Sequence, residues 1–80
     1  MTYWIYVLQS EKNKTRYIGN TENLEVRLKE HNHGRSRYTS AHSPWKIIYK
    51  ESVESRAQAI PREKFLKSGT GRKILDTLIN

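Results

Sequence analysis

The chain has no cysteine, one methionine and one phenylalanine, and no apolar run that approaches the roughly 18 residues of a membrane-spanning helix. The missing cysteine excludes disulfides and thiolate metal sites. The first residues, MTYWIYVL, also lack the charged lead and small-residue cleavage site of a signal peptide. We therefore expect a cytoplasmic protein without membrane contact, and one domain over residues 1–80 with a small core.

Acidic residues are also scarce, since eight Asp and Glu face fifteen Lys and Arg and leave a net charge of +7. The isoelectric point near 9.9 exceeds the value of about 9 that suggests a nucleic-acid-binding domain. A solvated basic surface is the alternative. An anionic membrane is disfavoured as the partner because no segment combines an apolar face with a basic one.

The mean hydropathy of −0.88 is low enough to allow disorder, but the apolar residues gather in the runs WIYVL, KIIY and ILDTLI. Residues 3–8 and the segment RYIG are typical of two strands joined by the polar turn at 10–15, with Gly19 ending the second strand. Thr21 is then the expected N-cap of a helix over residues 22–31 that Gly34 ends.

The segment WKIIY, residues 45–49, predicts a third strand that completes a small sheet. Ser55 and Gln58 have the spacing of a capping box and predict the start of a second helix. Pro61 would fall inside that helix, so we expect either a kink there or a helix that begins near Pro61.

The last apolar segment, RKILDTLI, follows two glycines, Gly69 and Gly71. Its apolar residues recur at helical spacing. We expect the two glycines to interrupt the chain and a final helix to begin after them.

Two residues of the first helix are candidates for chemistry. At about 100° per residue, Arg27 lies near −60° and His31 near −20° from Leu24, so both border the buried stripe. Arg27 either lays its stem over the core or grips a phosphate and stabilises charge on it. His31 is either a structural hydrogen-bonding residue or a general base, proton donor or anion ligand. The histidines in loops, His33 and His42, are expected at the surface.

Glu63 lies in the basic stretch PREKFLK. It either forms an ordinary ion pair with Arg62, Lys64 or Lys67, or holds one hard divalent ion with waters and phosphate oxygens. Tyr6 and Tyr17 are either core residues or catalytic. A catalytic tyrosine needs cationic or metal neighbours, because a free phenol has a pKa of about 10.

These residues, in this order, resemble the GIY-YIG endonuclease family, and in particular its small stand-alone bacterial members. Tyr17-Ile18-Gly19 matches the second signature tripeptide, and Trp4-Ile5-Tyr6 stands where the first belongs. Three further residues fall at the family's catalytic arginine, at a histidine found in many members and at the metal-binding glutamate: Arg27, His31 and Glu63. The segment RYTSAHSPWKIIY resembles the third-strand region, and the likeness covers residues 3–75.

The resemblance implies an α/β (α+β) fold in which helices flank a three-stranded antiparallel sheet. It also implies hydrolysis of a phosphodiester with one divalent ion, Mg²⁺ or Mn²⁺, held by Glu63. In this interpretation Tyr6 or Tyr17, as a phenolate, deprotonates the attacking water. Arg27 stabilises the developing charge, and His31 positions or protonates. Such nuclease domains occur in structure-specific and excision-repair endonucleases.

Three residues depart from the family pattern. Trp4 replaces the first glycine of the signature, and Asn20 follows YIG where some nucleases have a lysine. Pro61 precedes Arg62 and Glu63, and the sequence leaves open whether it turns Glu63 away from the pocket.

The sequence thus predicts a metal-dependent DNA endonuclease, structure-selective and related to repair or recombination, with branched, flapped or nicked DNA as substrate. A protein partner subunit is a further expectation. The alternatives are a nucleic-acid-binding module of weak or no activity and a protein-interaction domain. Seven basic residues near the predicted site are candidates for contacts to the nucleic-acid backbone: Arg35, Arg37, Lys46, Lys64, Lys67, Arg72 and Lys73.

Overall fold

The computed structural model describes residues 2–33 and 41–79, so the predicted helix end at Gly34 and the candidate residues Arg35 and Arg37 lie outside it. The described chain runs, in order, through β1 (Tyr3–Ser10), β2 (Arg16–Thr21), α1 (Leu24–Asn32), β3 (Trp45–Val53), α2 (Arg56–Lys67) and α3 (Gly69–Ile79). The strands form one antiparallel sheet in the order β2-β1-β3. The predicted fold class, a three-stranded antiparallel sheet flanked by helices, is confirmed.

The register of the central strand β1 fixes which side chains share a face. Tyr6 pairs with Gly19 and Leu8 pairs with Tyr17 on β2. Since alternate residues of a strand point to the same face, Tyr6 and Tyr17 lie together on one side of the sheet. The sequence allowed this arrangement but could not fix it, because a one-residue slip moves every side chain to the other face.

Each face of the sheet has its own apolar cluster. On one face, Tyr6, Leu8 and Trp45 are buried beneath α1, with Leu24 and Leu28 packed against them. On the other face, α2 and α3 cover a second buried cluster, which consists of Ile5, Val7, Ile18, Ala59, Leu66 and Leu75. The sheet therefore forms the middle layer between α1 and the pair α2 and α3.

Helix α1 begins two residues later than predicted. Its N-cap is Asn23, not Thr21, and the Asn23 side chain accepts a hydrogen bond from the amide of Val26 at 3.2 Å. Thr21 instead ends β2, and its hydroxyl oxygen accepts a hydrogen bond from the Asn23 amide at 3.2 Å. Because the strand extends to Thr21, the turn into the helix has only Glu22 and Asn23 to use.

Helix α2 begins at the predicted capping box and continues through Pro61, so the expectation of a start near Pro61 is wrong. The Ser55 hydroxyl accepts from the Gln58 amide at 3.3 Å, and the Gln58 side chain accepts from the Glu54 amide at 2.9 Å. Proline leaves only the carbonyl four residues earlier, that of Ala57, without its helical donor. Pro61 and Ala57 are both exposed, so water can satisfy that carbonyl.

Helix α3 includes the two glycines that were expected to precede it. The interruption lies one residue earlier, at Ser68, whose extended backbone ends α2. The Ser68 hydroxyl also accepts a hydrogen bond from the Gly71 amide at 3.1 Å, as an N-cap does. Across residues 2–33 and 41–79, helices of the length and apolarity needed to cross a membrane are absent.

Candidate active site

Tyr6 lies at the centre of the candidate site, with 2% of its surface exposed. Its ring extends from β1 across Gly19 of β2. A Cβ atom at position 19 would lie 2.6 Å from the Tyr6 hydroxyl oxygen and 2.8 Å from Cζ. Only glycine therefore lets the Tyr6 hydroxyl reach the outer edge of β2, which explains the last residue of the YIG segment.

Helix α1 brings Arg27 and His31 to the Tyr6 hydroxyl. The Nε of Arg27 donates to that oxygen at 3.4 Å, and Nε2 of His31 lies 3.1 Å from it. The two residues are four apart and so share one helix face. His31 has 3% of its surface exposed, as its predicted position beside the buried stripe requires.

The end of α1 is fixed to the start of β3 by an amide clamp. The Asn32 side chain accepts from the Trp45 amide at 2.6 Å and donates to the Trp45 carbonyl at 3.3 Å. Since Asn32 follows His31 directly, this clamp holds the imidazole in place over Tyr6. The role of Asn32 was not predicted from the sequence, because an asparagine near a helix end is also typical of an ordinary cap.

Burial is the main influence on the ionisation of Tyr6 and raises its pKa to about 12. The hydrogen bond and charge of Arg27 act in the opposite direction, while the Tyr17 and Glu63 charges raise the pKa further. The hydrogen bond with Tyr6 in turn raises the pKa of Arg27. At neutral pH the site therefore holds a neutral phenol beside a fixed positive charge.

Burial lowers the pKa of His31, and the nearby charge of Arg27 lowers it further, against the opposing effect of Glu30. The imidazole is consequently neutral at pH 7 and able to accept a proton at one ring nitrogen. Since Arg27 can only donate to the Tyr6 oxygen, the Tyr6 proton is available to Nε2 of His31. The three side chains therefore form a row of hydrogen bonds in which Arg27 donates to Tyr6 and Tyr6 donates to His31.

Glu63 reaches the same strand edge from α2, on the opposite face of the sheet. Its Oε1 accepts from Asn20 Nδ2 at 2.6 Å, and its Oε2 accepts from Lys67 Nζ at 2.7 Å. Only 18% of the Glu63 side chain is exposed. Pro61 does not turn this carboxylate away, because the carboxylate meets Asn20, the residue next to Gly19, and its charge acts on Tyr6.

The carboxylate of Glu63 fits a divalent ion that the protein would hold through a single carboxylate. Mg²⁺ is commonly bound through one or two carboxylates, with waters and substrate phosphates as the remaining ligands. Of the two groups on Glu63, Lys67 is half exposed and can give way to a cation. Within residues 2–33 and 41–79 there is no group of three His, Asp or Glu side chains that could hold a metal ion without such added ligands.

Tyr17 belongs to the aromatic packing around the site. Its ring centroid lies 4.8 Å from that of His31, 6.4 Å from that of Tyr6 and 6.3 Å from that of Trp45. Aromatic pairs at these separations stabilise packing. Tyr17 therefore supports the imidazole from one side, while Tyr6 contacts it through the hydroxyl.

The other two histidines have structural surroundings. His33 is exposed and caps the end of α1 through its amide. His42 is half-buried, with Nδ1 2.7 Å from Nδ2 of the Asn13 side chain and its ring 6.2 Å from the Trp45 ring. His33 is exposed as expected, whereas His42 is only partly exposed and contacts Asn13 of the β1–β2 turn.

The candidate backbone-contacting residues do not gather in one place. Lys67 and Arg72 line a groove between β2 and α3. Lys46 lies on β3, at the other edge of the sheet, and Lys64 and Lys73 are exposed on α2 and α3. A further basic residue of the groove, Arg16, was not predicted from the sequence; it forms an ion pair with Asp76 at 2.6 Å.

A sequence model described as the GIY-YIG catalytic domain matches residues 2–75. The chain therefore belongs to the GIY-YIG family, which is a family of nucleases. A UPF0213 protein of Clostridium perfringens (strain 13 / Type A) is 36% identical over 76 residues, which cover 94% of this chain and 81% of the relative. A second UPF0213 protein, of Syntrophus aciditrophicus (strain SB), is 38% identical over 66 residues, with 80% and 75% covered.

A solved structure shows the same fold. The solution NMR structure of a UPF0213 protein from Bacillus halodurans matches with a TM-score of 0.59 and 25% sequence identity. The match covers 98% of this chain and 85% of that protein. The fold and the family agree with the resemblance that the sequence motifs indicate.

Proposed function

We propose that the protein is a metal-dependent endonuclease that hydrolyses DNA phosphodiester bonds, selects its substrate by structure and acts in repair or recombination. The observation that carries the proposal is that Arg27, Tyr6 and His31 meet at the edge of β2, and that the carboxylate of Glu63 reaches the same edge at Asn20. Such a set combines a fixed cation, a proton path and a hard oxygen ligand. Phosphoryl hydrolysis needs these three groups at one phosphate.

Tyr6 is the better candidate than Tyr17 for the group that contacts the attacking water. With a pKa of about 12, a free phenolate is rare at pH 7, at roughly one molecule in 10⁵. A relay avoids this cost: the Tyr6 oxygen takes a proton from water while its own proton passes to Nε2 of His31. The water oxygen then bonds to phosphorus, the bond to the leaving oxygen breaks, and that oxygen takes a proton from solvent.

Arg27 and Glu63 have the charge-related roles in this proposal. The guanidinium of Arg27, fixed by Tyr6 and by Glu30 at 3.1 Å, donates to the phosphate oxygens as negative charge grows on them. Glu63 holds the Mg²⁺ or Mn²⁺ ion. When bound, the ion adds positive charge against the phosphate and lowers the pKa of a nearby proton donor.

The alternative is a nucleic-acid-binding module without strong activity. One observation favours it: both carboxylate oxygens of Glu63 already accept hydrogen bonds, from Asn20 and Lys67. A metal ion must displace at least one of these donors. If it cannot, the basic surface still binds nucleic acid through its backbone.

The proposal is tested with labelled duplex, flap, branched, nicked and single-stranded DNA in Mg²⁺, Mn²⁺ or EDTA. We expect metal-dependent cuts that Glu63→Gln and Arg27→Ala each slow by about 10²-fold or more, the usual cost of losing one group that stabilises transition-state charge. Glu25→Gln and Arg56→Ala remove the same charges at exposed positions and serve as controls. A protein that binds these DNAs but never cuts them would support the binding module instead.

A further inference from the structure

A groove of about 730 Å³ lies between β2 and α3, beside the candidate active site. Arg16 and Tyr17 line it from the strand, and Lys67, Arg72 and Asp76 line it from the helical side. Tyr17 also packs against His31, so the groove and the site share a wall. A substrate held at Tyr6 can therefore extend directly into this groove.

The charge of the groove favours an anion. Three cationic side chains face one carboxylate, and the ion pair of Arg16 with Asp76 at 2.6 Å uses only one of the three. Among the residues that the structure describes, no side-chain hydrogen bond or ion pair engages the guanidinium of Arg72. A planar guanidinium binds the phosphate groups of a nucleic acid well, because it can donate two parallel hydrogen bonds to one phosphate.

The groove lies one short step along the strand from the site. Arg16 is three residues before Gly19, which is about 10 Å along a strand at roughly 3.3 Å per residue. The Tyr6 hydroxyl lies at Gly19. This short distance would let a nucleic acid held at Tyr6 and Arg27 place a further phosphate in the groove.

Lys67 belongs to both places, because it lines the groove and pairs with Glu63 at 2.7 Å. While this pair exists, Lys67 neutralises the carboxylate and is less available to a phosphate. A divalent cation on Glu63 would neutralise the carboxylate that attracts Lys67 and would repel the ammonium group. Lys67 then has the groove as its nearest anion-binding position.

We propose that the groove between β2 and α3 binds a backbone phosphate next to the scissile one, and that Lys67 leaves Glu63 for this phosphate when a divalent cation binds Glu63. The proposal rests on the proposed function for the metal at Glu63. It makes metal binding and nucleic-acid binding mutually reinforcing through one lysine, in addition to any direct contact between metal and phosphate.

The test is a double-mutant cycle on binding, measured in EDTA, where no cleavage takes place. Glu63→Gln imitates the loss of the carboxylate charge and frees Lys67 without metal. The affinity for a labelled DNA duplex is measured over a range of salt for the wild type, Glu63→Gln, Lys67→Met and the double variant. Arg56→Met is the control. It removes one positive charge on the same helix, about 16 Å from Lys67 along α2 at a rise of roughly 1.5 Å per residue.

We expect Lys67→Met to reduce the slope of log K against log salt by about 0.9, the value of one phosphate contact, in the Glu63→Gln background and by much less in the wild-type background. Arg72→Met should reduce the slope by the same amount in both backgrounds, and Arg56→Met in neither. If Lys67→Met changes the slope equally in the two backgrounds, Lys67 does not move from Glu63 to the phosphate. If Arg72→Met and Arg56→Met have the same slope of log K against log salt, the groove does not bind a phosphate.

A second measurement follows the metal alone. Mn²⁺ titrated into the protein without nucleic acid should bind Lys67→Met more tightly than Arg56→Met, because its competitor for Glu63 is gone. Equal Mn²⁺ affinity of the two variants would contradict the exchange. These readouts do not depend on cleavage, so metal-dependent cutting together with a cycle that shows no coupling would reject this inference and leave the proposed function intact.

Discussion

The hydroxyl of Tyr6 reaches Arg27 and His31 only because residue 19 has no side chain. Gly19→Ala would place a Cβ atom 2.6 Å from that hydroxyl oxygen, and the buried ring has no room to move. We expect a loss of about 1–3 kcal/mol in the free energy of unfolding, the usual cost of overpacking, measured by urea denaturation. Gly69→Ala is the control, since no atom lies within 4 Å of a Cβ there. Equal stability of the two variants would contradict the described contact.

His31 makes the stability of the fold depend on pH. Burial lowers its pKa in the folded chain, while an unfolded histidine titrates near 6.5. As the pH falls below about 6.5 the unfolded chain therefore binds the proton first, and the free energy of unfolding decreases until the pH has passed the folded pKa. The contribution is fully present above pH 6.5 and is lost below it.

Thermal unfolding of the wild type and His31→Gln between pH 7.5 and pH 5 tests this dependence. The wild type should lose stability relative to His31→Gln as the pH falls. His33→Gln, at an exposed position, should follow the wild type at each pH. Parallel curves for the wild type and His31→Gln would show that the imidazole is not held neutral.

At the scale of the elements, the junction of α2 and α3 brings two segments of backbone into close contact. A Cβ at Gly71 would clash with the Phe65 carbonyl oxygen and lie 2.7 Å from Leu66 Cα. Because both neighbours are backbone, Gly71→Ala must move α3, and we expect it to cost about 3 kcal/mol or more, the upper end for overpacking. Gly69→Ala should instead be neutral or stabilise by about 0.5–1 kcal/mol. Urea denaturation that ranks the two variants equally would contradict this packing.

The strands and the start of α2 could be predicted because local signals determine them. The aromatic and branched runs of β1 and β3 and the capping box at Ser55 act within a few residues. The start of α1 could not, because Thr21 and Asn23 are both good caps and the length of β2 decides between them. Gly71 was misread as a break, since its close contact with Phe65 exists only in the folded chain.

The candidate site was predictable to the extent that its residues share one helix or one strand. Arg27 and His31 lie one turn apart, and helical spacing alone places them together. Asn20, Asn32 and Arg16 act on partners far along the chain, so only the fold reveals them. The roles of Arg27, Tyr6, His31 and Glu63 stay predictions until variants are measured.

For the whole molecule, the charge of +7 predicts binding through the nucleic-acid backbone. With two or three phosphates contacted, log K for duplex DNA should fall against log salt with a slope of roughly −2 to −3. Duplexes of unrelated sequence should bind alike, and branched DNA more tightly. A slope near zero would favour a protein-interaction domain, and cleavage confined to one base sequence would contradict selection by structure.

The proposed mechanism requires that the hydroxyl of Tyr6 takes part in hydrolysis at this site. Tyr6→Phe removes that oxygen and leaves the buried ring, and Tyr17→Phe makes the same change at the neighbouring ring. The measurement is the rate of metal-dependent cleavage of the best DNA substrate by both variants, with folding checked by thermal unfolding. We expect Tyr6→Phe to reduce the cleavage rate by about 10²-fold or more and Tyr17→Phe to keep most of it. A folded Tyr6→Phe variant that cuts at the wild-type rate would exclude a role for this hydroxyl in hydrolysis.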